Sequence, residues 1–203
     1  MPELMSHSRE VLDSLLDSTI VGHVAYVDED GAPGVLPTAV ARFGNALIVH
    51  GSTGSRWMRL VSGVPAAVSV TSVDGIVVAR SAFESSLLYR SAVLFGSLRV
   101  LAGTEKTNAL DALTDKLIPG RLNEVRPNTT KELAATLVLS LPIDEWSLRV
   151  SDGWPEDADS DIIGDAWAGQ VRFGRQPVTV LDAPDLRPGI PTPESVKALR
   201  GTD

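Results

Sequence analysis

Cysteine is absent from the 203-residue chain, and histidine is limited to His7, His23 and His50. A chain without cysteine has no disulfide bonds, no thiolate nucleophile and no cysteine-ligated zinc or iron–sulfur centre. The same absence is compatible with a reducing compartment. With three imidazoles in the chain, any metal or haem site has very few histidine ligands to choose from.

Excess positive charge is also missing: the formal net charge is −8 and the sequence pI is about 4.9. This balance argues against nucleic acid and against an anionic membrane surface, because both need a basic face. The first 30 residues carry charges that interrupt any signal-peptide apolar region, at Glu3, Arg9, Glu10, Asp13 and Asp17. No apolar run reaches the length of about 18 residues that a membrane span needs. We therefore expect a cytoplasmic protein.

Several well-known site motifs are absent as well. The dinucleotide G-x-G-x-x-G, the P-loop, the G-x-S-x-G elbow and the H-E-x-x-H zinc motif do not occur. Asp157, Asp159 and Asp161 resemble the start of a calcium loop, but Ile162 and Ala168 stand where glycine and glutamate are required. The sequence therefore predicts a solvated acidic loop there and no metal site.

The chain is 43% hydrophobic, which is enough for a substantial core. Apolar residues recur at helical spacing over residues 8–17, Ser55–Ser62 and about Thr104–Leu117. Alternating patterns predict strands, with Val73-Asp74 as a hairpin turn. They cover Ile20–Val27, Gly34–Arg42, Ala46–His50, Ala66–Ser72, Gly75–Ala79, 87–101, Thr136–Leu141 and Glu145–Ser151. The predicted fold class is mainly β, a β-barrel with helical decoration.

The last 52 residues differ from the rest in composition. They hold six of the 13 prolines and ten acidic residues against five basic ones. Such a segment buries little apolar surface alone. We predict a barrel with an N-terminal helix over residues 1–151, and an acidic, proline-rich arm over 152–203 that packs on the barrel or on a partner subunit.

The most informative stretch is the strand Ala46–His50 and the loop that follows it. Gly51-Ser52-Thr53-Gly54-Ser55 allows a tight turn, offers hydroxyls and is expected to expose backbone N–H groups, and Arg56 then opens a helix. Hydrogen-bond donors and a cation at the end of a strand are suited to holding a phosphate. An ordinary strand–turn–helix connection fits this segment equally well.

A second stretch turns this pattern into a family resemblance. Residues 87–101 form a strand-like run in which Tyr89 and Ser91 share one face and Arg90 lies on the other. "VHGSTGSR" followed by "YRSAVLFGSLRV" resembles the FMN-binding split-barrel proteins related to pyridoxamine 5′-phosphate oxidase. The nearest branch is the flavin-nucleotide-binding group that includes nitroimidazole-resistance proteins. The resemblance runs from about residue 10 to Gly169.

The resemblance implies a split β-barrel that binds FMN, forms a homodimer and acts as a flavin-dependent oxidoreductase on a small molecule. It implies a phosphate site and a ring-binding strand, with further contacts to the ring or ribityl chain and in the closing segment. These sets are Gly51, Ser52, Ser55 and Arg56 for the phosphate; Pro37, Thr38 and Ala39 for the ring; His50, Tyr89 and Ser91 for the ring or ribityl chain; and Arg149 and Trp167 for the closing segment. His50 is the candidate catalytic residue, because an imidazole beside the ring can exchange protons near neutral pH.

Two alternatives stay open. One is an enzyme that uses the deazaflavin F420. The other is a non-enzymatic flavin-binding or haem-binding protein, with His50, His23 or His7 as iron ligand. The default for His23, in mid-strand, is a structural barrel histidine, and Arg59 is interpreted as a solvated charge. True pyridoxamine phosphate oxidase activity is not expected, because the acidic arm offers no second cationic phosphate pocket.

Overall fold

The structure is a computed structural model that describes residues 4–174, 179–182, 186 and 189–199. Its ten strands form one antiparallel sheet. They are β1 Met5–Ser6, β2 Val21–Val27, β3 Pro33–Phe43, β4 Ala46–Ser52, β5 Pro65–Val78, β6 Ser86–Ser97, β7 Arg99–Val100, β8 Thr136–Pro142, β9 Glu145–Ser151 and β10 Gly169–Arg172. The helices are α1 Arg9–Ser18, α2 Arg56–Leu60, α3 Gly103–Leu117, α4 Thr130–Ala135, α5 Asp159–Ile162 and α6 Glu194–Ala198, with a 3-10 turn at Arg121–Asn123. No described helix has the length and apolar content to cross a membrane.

The strand order is β1-β9-β6-β5-β2-β3-β4-β8-β7, and β10 adds to β5. β3 changes partner halfway along: Pro33–Ala39 pairs with β2, and Val40–Phe43 pairs with β4. The sheet curves into a barrel that is not closed. This confirms the prediction of a mainly β, split-barrel fold decorated by helices.

The barrel core and a second apolar layer lie on opposite sides of the sheet. α1 begins where Ser8 Oγ accepts a hydrogen bond from the Val11 amide, and its Leu12, Leu15 and Leu16 are fully buried in the barrel core. α3 covers the outside of β3, β4 and β8, where Leu113 packs with Ile48.

Lys116 fastens these layers together. Its Nζ donates to the carbonyl oxygens of Leu16, Thr19 and Val40 at 2.7, 2.5 and 2.9 Å. Burial lowers the pKa of this amine. One α3 side chain therefore holds both the end of α1 and the point at which β3 changes partner.

Two strand predictions were wrong in detail. The predicted hairpin at Val73-Asp74 is absent, because β5 runs continuously through it with a shift of register between Val73 and Gly75. Asp74, the residue at this register shift, accepts two hydrogen bonds from Arg90 on β6, at 2.8 and 2.9 Å. These bonds hold the irregular part of β5 to the neighbouring strand. The predicted strand 87–101 divides near Gly96, whose φ is +151°. Beyond this point the chain leaves β5, and β7 joins β8.

The described part of the arm contacts the barrel at defined points. Asp157 is not a solvated residue of an acidic loop as predicted: its side chain is 1% exposed, and it accepts hydrogen bonds from the Arg80 amide and guanidinium at 2.7 and 2.9 Å. β10 pairs with β5 from Gly169 to Arg172. The predicted arm also includes 175–178, 183–185, 187–188 and 200–203, which lie outside the described residues.

Candidate functional site

The candidate site lies where β3 and β4 separate. Their ladder ends at Val40 opposite Val49, and continuing the same register would place Ala39 opposite His50. Instead, residues 37–39 pair with β2, and His50–Ser52 pair with β8. The predicted ring strand and the predicted phosphate loop therefore flank one opening in the barrel wall.

His50 is held at this opening by the sheet. It follows Ile48 on the face of β4 that α3 covers, opposite Val138 of β8. Its Nδ1 atom is buried and has no hydrogen-bond partner among the described residues. Burial lowers the pKa of the imidazole below its usual value, so the ring is neutral at pH 7. A neutral ring with an unpaired nitrogen is suited to bonding a ligand, because a buried polar atom without a partner is costly.

The loop between β4 and α2 binds itself more than the sequence predicts. The amides of Thr53, Gly54 and Ser55 donate to Ala135 O, Ser52 Oγ and Ser52 O at 3.0, 3.1 and 2.9 Å. The expectation that these N–H groups are exposed to a phosphate was therefore wrong. The loop is held by its own hydrogen bonds, and the Ser55 hydroxyl and the neighbouring side chains remain for binding.

Gly51 has a packing role in this arrangement. A Cβ at this position would lie 3.0 Å from the Cγ of Met58, a fully buried residue of α2. A larger residue would require Met58 to shift. Glycine at this position allows α2 to pack closely against β4.

The cations around the loop differ from those elsewhere. In the described part of the chain most arginines pair with a carboxylate: Arg9, Arg42, Arg80, Arg90, Arg99, Arg121, Arg126 and Arg172. Arg56 is exposed, and no ion pair or side-chain hydrogen bond among the described residues uses it.

Three further cations without a described carboxylate partner lie on α2 or on helices linked to this loop by hydrogen bonds. Arg59 donates to Thr53 O at 3.1 Å, so it braces the loop rather than being only a solvated charge. Lys106 donates to Leu133 O of α4 at 2.6 Å. Lys131 is an exposed residue of the same helix, which Thr53 also contacts through Ala135. We call Arg56, Arg59, Lys106 and Lys131 the basic edge.

The carboxylate nearest in sequence to Lys131 is already neutralised. Glu132 accepts from Arg126 at 2.7 and 2.9 Å and from the Thr129 amide at 2.7 Å. These bonds, chiefly the one from Arg126, lower its pKa to about 2. This carboxylate therefore has its own cation and does not pair with Lys131.

The other predicted residues lie elsewhere on the sheet. Ser91 faces Arg149 and Tyr89 faces Ser151 across β6 and β9. Arg149 has a buried Nε without a partner among the described residues. Along the sheet, three strands, β5, β2 and β3, lie between β6 and β4.

Trp167 lies just before β10. It is 65% exposed, and its ring lies so close to Gly169 that a Cβ there would be 2.8 Å from the ring. Gly169 begins β10 and pairs with Val78 of β5.

The outer face of the sheet carries features that the sequence analysis missed. His23 is exposed there and no described hydrogen bond uses its ring, whereas a satisfied structural histidine of the barrel was expected. An open groove of about 680 Å³ crosses the same face. It is lined by Ala25, Tyr26, Val27, Pro33, Gly34, Val35, Pro65, Ala66, Ala67, Phe95, Gly96, Ser97 and Glu145. The alternation of β2 predicts that His23 and Ala25 share a face, but a groove formed by four strands is visible only in the folded sheet.

Comparison with known proteins gives concordant results. The family model for pyridoxamine 5′-phosphate oxidase matches residues 8–150. The FAD and haem binding protein from Mycobacterium smegmatis is 53% identical, with 98% of each chain covered and a TM-score of 0.93. The flavocytochrome from Azotobacter vinelandii is 32% identical, with 96% of this chain and 91% of that chain covered and a TM-score of 0.87.

A more distant structure shares the fold alone. It is a candidate 5-nitroimidazole antibiotic resistance protein from Bacteroides thetaiotaomicron, 15% identical, with 72% of this chain and 86% of that chain covered and a TM-score of 0.60. A comparison with curated protein sequences gave no match. The family match and the two similar structures show that the chain belongs to the pyridoxamine 5′-phosphate oxidase family, as the sequence resemblance predicted.

Proposed function

We propose that this protein binds a flavin and a haem and transfers electrons between them and a small-molecule substrate or acceptor. The observation that carries the proposal is the likeness, over 98% of both chains, to a protein that binds FAD and haem. The second similar structure, a flavocytochrome, supports the same pairing. A bound flavin supplies hydride and single-electron transfer, and the protein binds it, orients it and tunes it.

The residues at the opening fit a flavin. Arg56 has a guanidinium free of described partners, which suits a phosphate dianion. His50 brings an unpaired, buried nitrogen to the same opening. A hydrogen bond from a ligand would satisfy this nitrogen, and as a neutral base the ring can accept a proton from a neighbouring group.

The basic edge favours FAD over the FMN that the sequence resemblance predicts. FMN carries one phosphate, whereas FAD carries a diphosphate that links it to adenosine. Arg56 alone would serve the first, and the further cations of the basic edge suit the second. The FAD bound by the 53% identical relative points the same way.

The protein is further proposed to act as a homodimer. Large apolar side chains are exposed on the outer face of the sheet, among them Val21 at 47%, Val27 at 60%, Val35 at 66% and Phe95 at 40%. A second copy would cover such a face. Arg149, with its unpaired Nε on this side of the sheet, would then lie near the partner.

The test is the absorption spectrum of the purified full chain, followed by mass identification of the released cofactors. We expect the two bands of an oxidised flavin together with a Soret band, and a released mass of FAD. Release of FMN would correct the flavin identity. The single band of a deazaflavin would instead favour the F420 alternative, and a chain that binds no flavin would refute the proposal.

A further inference from the structure

We propose that a small cavity at one end of the sheet binds a compact organic cation, one whose ammonium nitrogen carries alkyl groups. The cavity has a volume of about 310 Å³ and lies where β5 and β9 end and β6 begins, with Val77, Ser86 and Ser151 in its lining. The loop between β5 and β6 forms one wall, and the start of the arm forms the other. None of its lining residues belongs to the β3–β4 opening or to the groove on the outer face, so the site goes beyond the proposed flavin and haem binding.

Two aromatic side chains in the lining of this cavity are exposed. Phe83, from the loop wall, is 89% exposed, and Trp154, from the arm wall, is 70% exposed. A single exposed apolar side chain is ordinary on a protein surface, whereas two large aromatic residues in one cavity form a surface that a ligand can cover. The faces of aromatic rings carry partial negative charge, so they attract cations such as a quaternary ammonium group.

Two carboxylates border the same cavity. Glu84 and Glu156 line it, and no ion pair or side-chain hydrogen bond among the described residues uses either carboxylate. By contrast, Glu105, Glu124 and Glu132 each pair with an arginine. None of the described residues that line the cavity is a lysine, arginine or histidine. The charged groups of the lining are therefore both acidic, which fits a cation and does not fit a phosphate.

The lining suits an organic cation better than a metal ion. Calcium takes six to eight oxygen ligands, and the described part of the chain holds no group of three or more metal-ligating side chains. Alkyl groups on an ammonium nitrogen would contact the aromatic rings, and the two carboxylates would balance its charge. A cavity of about 310 Å³ is at the small end of ligand sites, so it fits a compact cation and not a flavin.

Hydrogen bonds hold both walls of the cavity. In the loop between β5 and β6, Ser81 accepts from the Ser85 hydroxyl at 3.0 Å and from the Glu84 amide at 3.2 Å. The buried pair of Asp157 with Arg80 then joins this loop to the arm. Because these bonds already order the backbone of both walls, a ligand would not have to order it on binding.

The cavity is distant from the apolar face that a second copy is proposed to cover. Phe95 belongs to that face, and Ser86, which lines the cavity, lies nine residues away along β6. At about 3.3 Å per residue, the two positions are roughly 30 Å apart. A second copy on the apolar face therefore does not need this cavity for its contact.

The experiment titrates the purified full chain with choline and, separately, with dimethylbutanol, in which carbon replaces the charged nitrogen of choline with little change of shape. Nuclear magnetic resonance of the tryptophan indole groups records the binding. We expect choline to bind saturably and dimethylbutanol to bind at least about tenfold more weakly, because the rings and the carboxylates act on the charge. Choline affinity should also fall as the salt concentration rises.

Aromatic variants test the two rings. Trp154→Leu should weaken choline binding about fivefold, the scale of one partly exposed cation–π contact, whereas Trp154→Phe should keep most of the affinity. Phe83→Leu should also weaken it, by about threefold. Phe173→Leu is the matched control, because Phe173 is 51% exposed and does not line this cavity, and it should bind choline like the unchanged chain.

Carboxylate variants test the charge. Glu84→Gln and Glu156→Gln should each weaken choline binding about twofold, with little effect on dimethylbutanol. Glu29→Gln, a change at an exposed carboxylate in the turn between β2 and β3, is the control and should leave both ligands unaffected. Circular dichroism and bound flavin should match the unchanged chain in every variant.

Three outcomes would overturn the proposal. Equal affinity for choline and dimethylbutanol would make the cavity an apolar site without preference for a cation. Failure of choline to saturate the unchanged chain would mean that the cavity binds no such ligand. Equal weakening by the control variants would mean that choline is attracted to the acidic chain as a whole. None of these results bears on flavin or haem binding, which the absorption spectrum tests separately.

Discussion

Two regions of this molecule use arginine in opposite ways. Where the arm meets the barrel, Arg80 pairs with Asp157, Arg90 with Asp74, and Arg172 with Asp152. At the basic edge, no described carboxylate pairs with Arg56. A cation that already has an acid partner contributes to the structure, whereas a cation without one remains available to an anionic ligand. The contrast predicts that changes in the first region alter stability and changes in the second alter binding.

The largest effect is expected at the arm junction, for Asp157→Ala. This change removes a carboxylate that is 1% exposed and leaves the Arg80 amide and guanidinium without their acceptor. Breaking such a pair should lower the free energy of unfolding by about 3 kcal/mol. Urea denaturation monitored by tryptophan fluorescence measures it.

Asp159→Ala, an exposed change two residues away, is the matched control and should leave stability unaltered. Neither substitution should alter flavin affinity at the opening. A stability loss shared by both variants would mean that the acidic loop as a whole stabilises the barrel, and not the Asp157–Arg80 contact.

At the basic edge, Arg56→Ala should weaken FAD binding by about 2 kcal/mol, the scale of one charge-assisted hydrogen bond. The free energy of unfolding without ligand should not change, because no described side-chain contact is lost. Calorimetric titration with FAD and with riboflavin measures the affinity of each protein for the two ligands. Riboflavin lacks the phosphate and should bind the two proteins equally.

Arg99→Ala serves as the control at a paired arginine, since Arg99 is held by Glu105. It should bind FAD like the unchanged chain. Equal weakening of FAD and riboflavin by Arg56→Ala would place the phosphate elsewhere.

A smaller effect is expected from Lys131→Met, which tests whether the basic edge extends beyond Arg56. Removing one exposed charge near a phosphate should weaken FAD binding by about 1 kcal/mol, and less at high salt. FMN affinity should change less, because its single phosphate is proposed to lie at Arg56. Identical losses for the two flavins would remove Lys131 from any role in choosing between them.

The sequence predicted local features of both regions and few of their long-range contacts. Alternation and turn residues located β3, β4 and the loop to Arg56, because these depend on neighbours in the chain. The pairing of Asp157 with Arg80 joins residues 77 positions apart, and Thr53 meets Ala135 across 82. No local pattern signals such pairs, so the acidic loop was expected to be solvated and the loop amides to be free.

The outer face of the sheet also shows that local features could be predicted from the sequence and long-range contacts could not. The alternation of β2 places His23 with Ala25, but the sequence does not say which side of the barrel they face. Burial of Gly22 and Val24 inside the barrel settles this in the folded protein. The groove also needs β5 and β6 beside β2, and that strand order follows from the whole topology.

The smallest effect concerns His50 and the pH dependence of stability. Burial lowers the pKa of this imidazole in the folded chain, whereas in the unfolded chain it has its ordinary value of about 6.5. The unfolded state therefore binds the proton more readily, so stability is complete above the unfolded value and is lost as pH falls through the folded one. His50→Gln removes this group, and its free energy of unfolding should decline less than that of the unchanged chain between pH 7 and the acid range. Urea titrations at a series of pH values measure the slope, with Ser52→Ala as a non-titrating change on the same strand.

If both variants keep the original slope, protonation of His50 does not oppose folding, and its buried nitrogen must find a partner when it is charged. A flatter slope for His50→Gln alone would support a neutral imidazole at the opening, the form in which it can accept a hydrogen bond from a bound flavin.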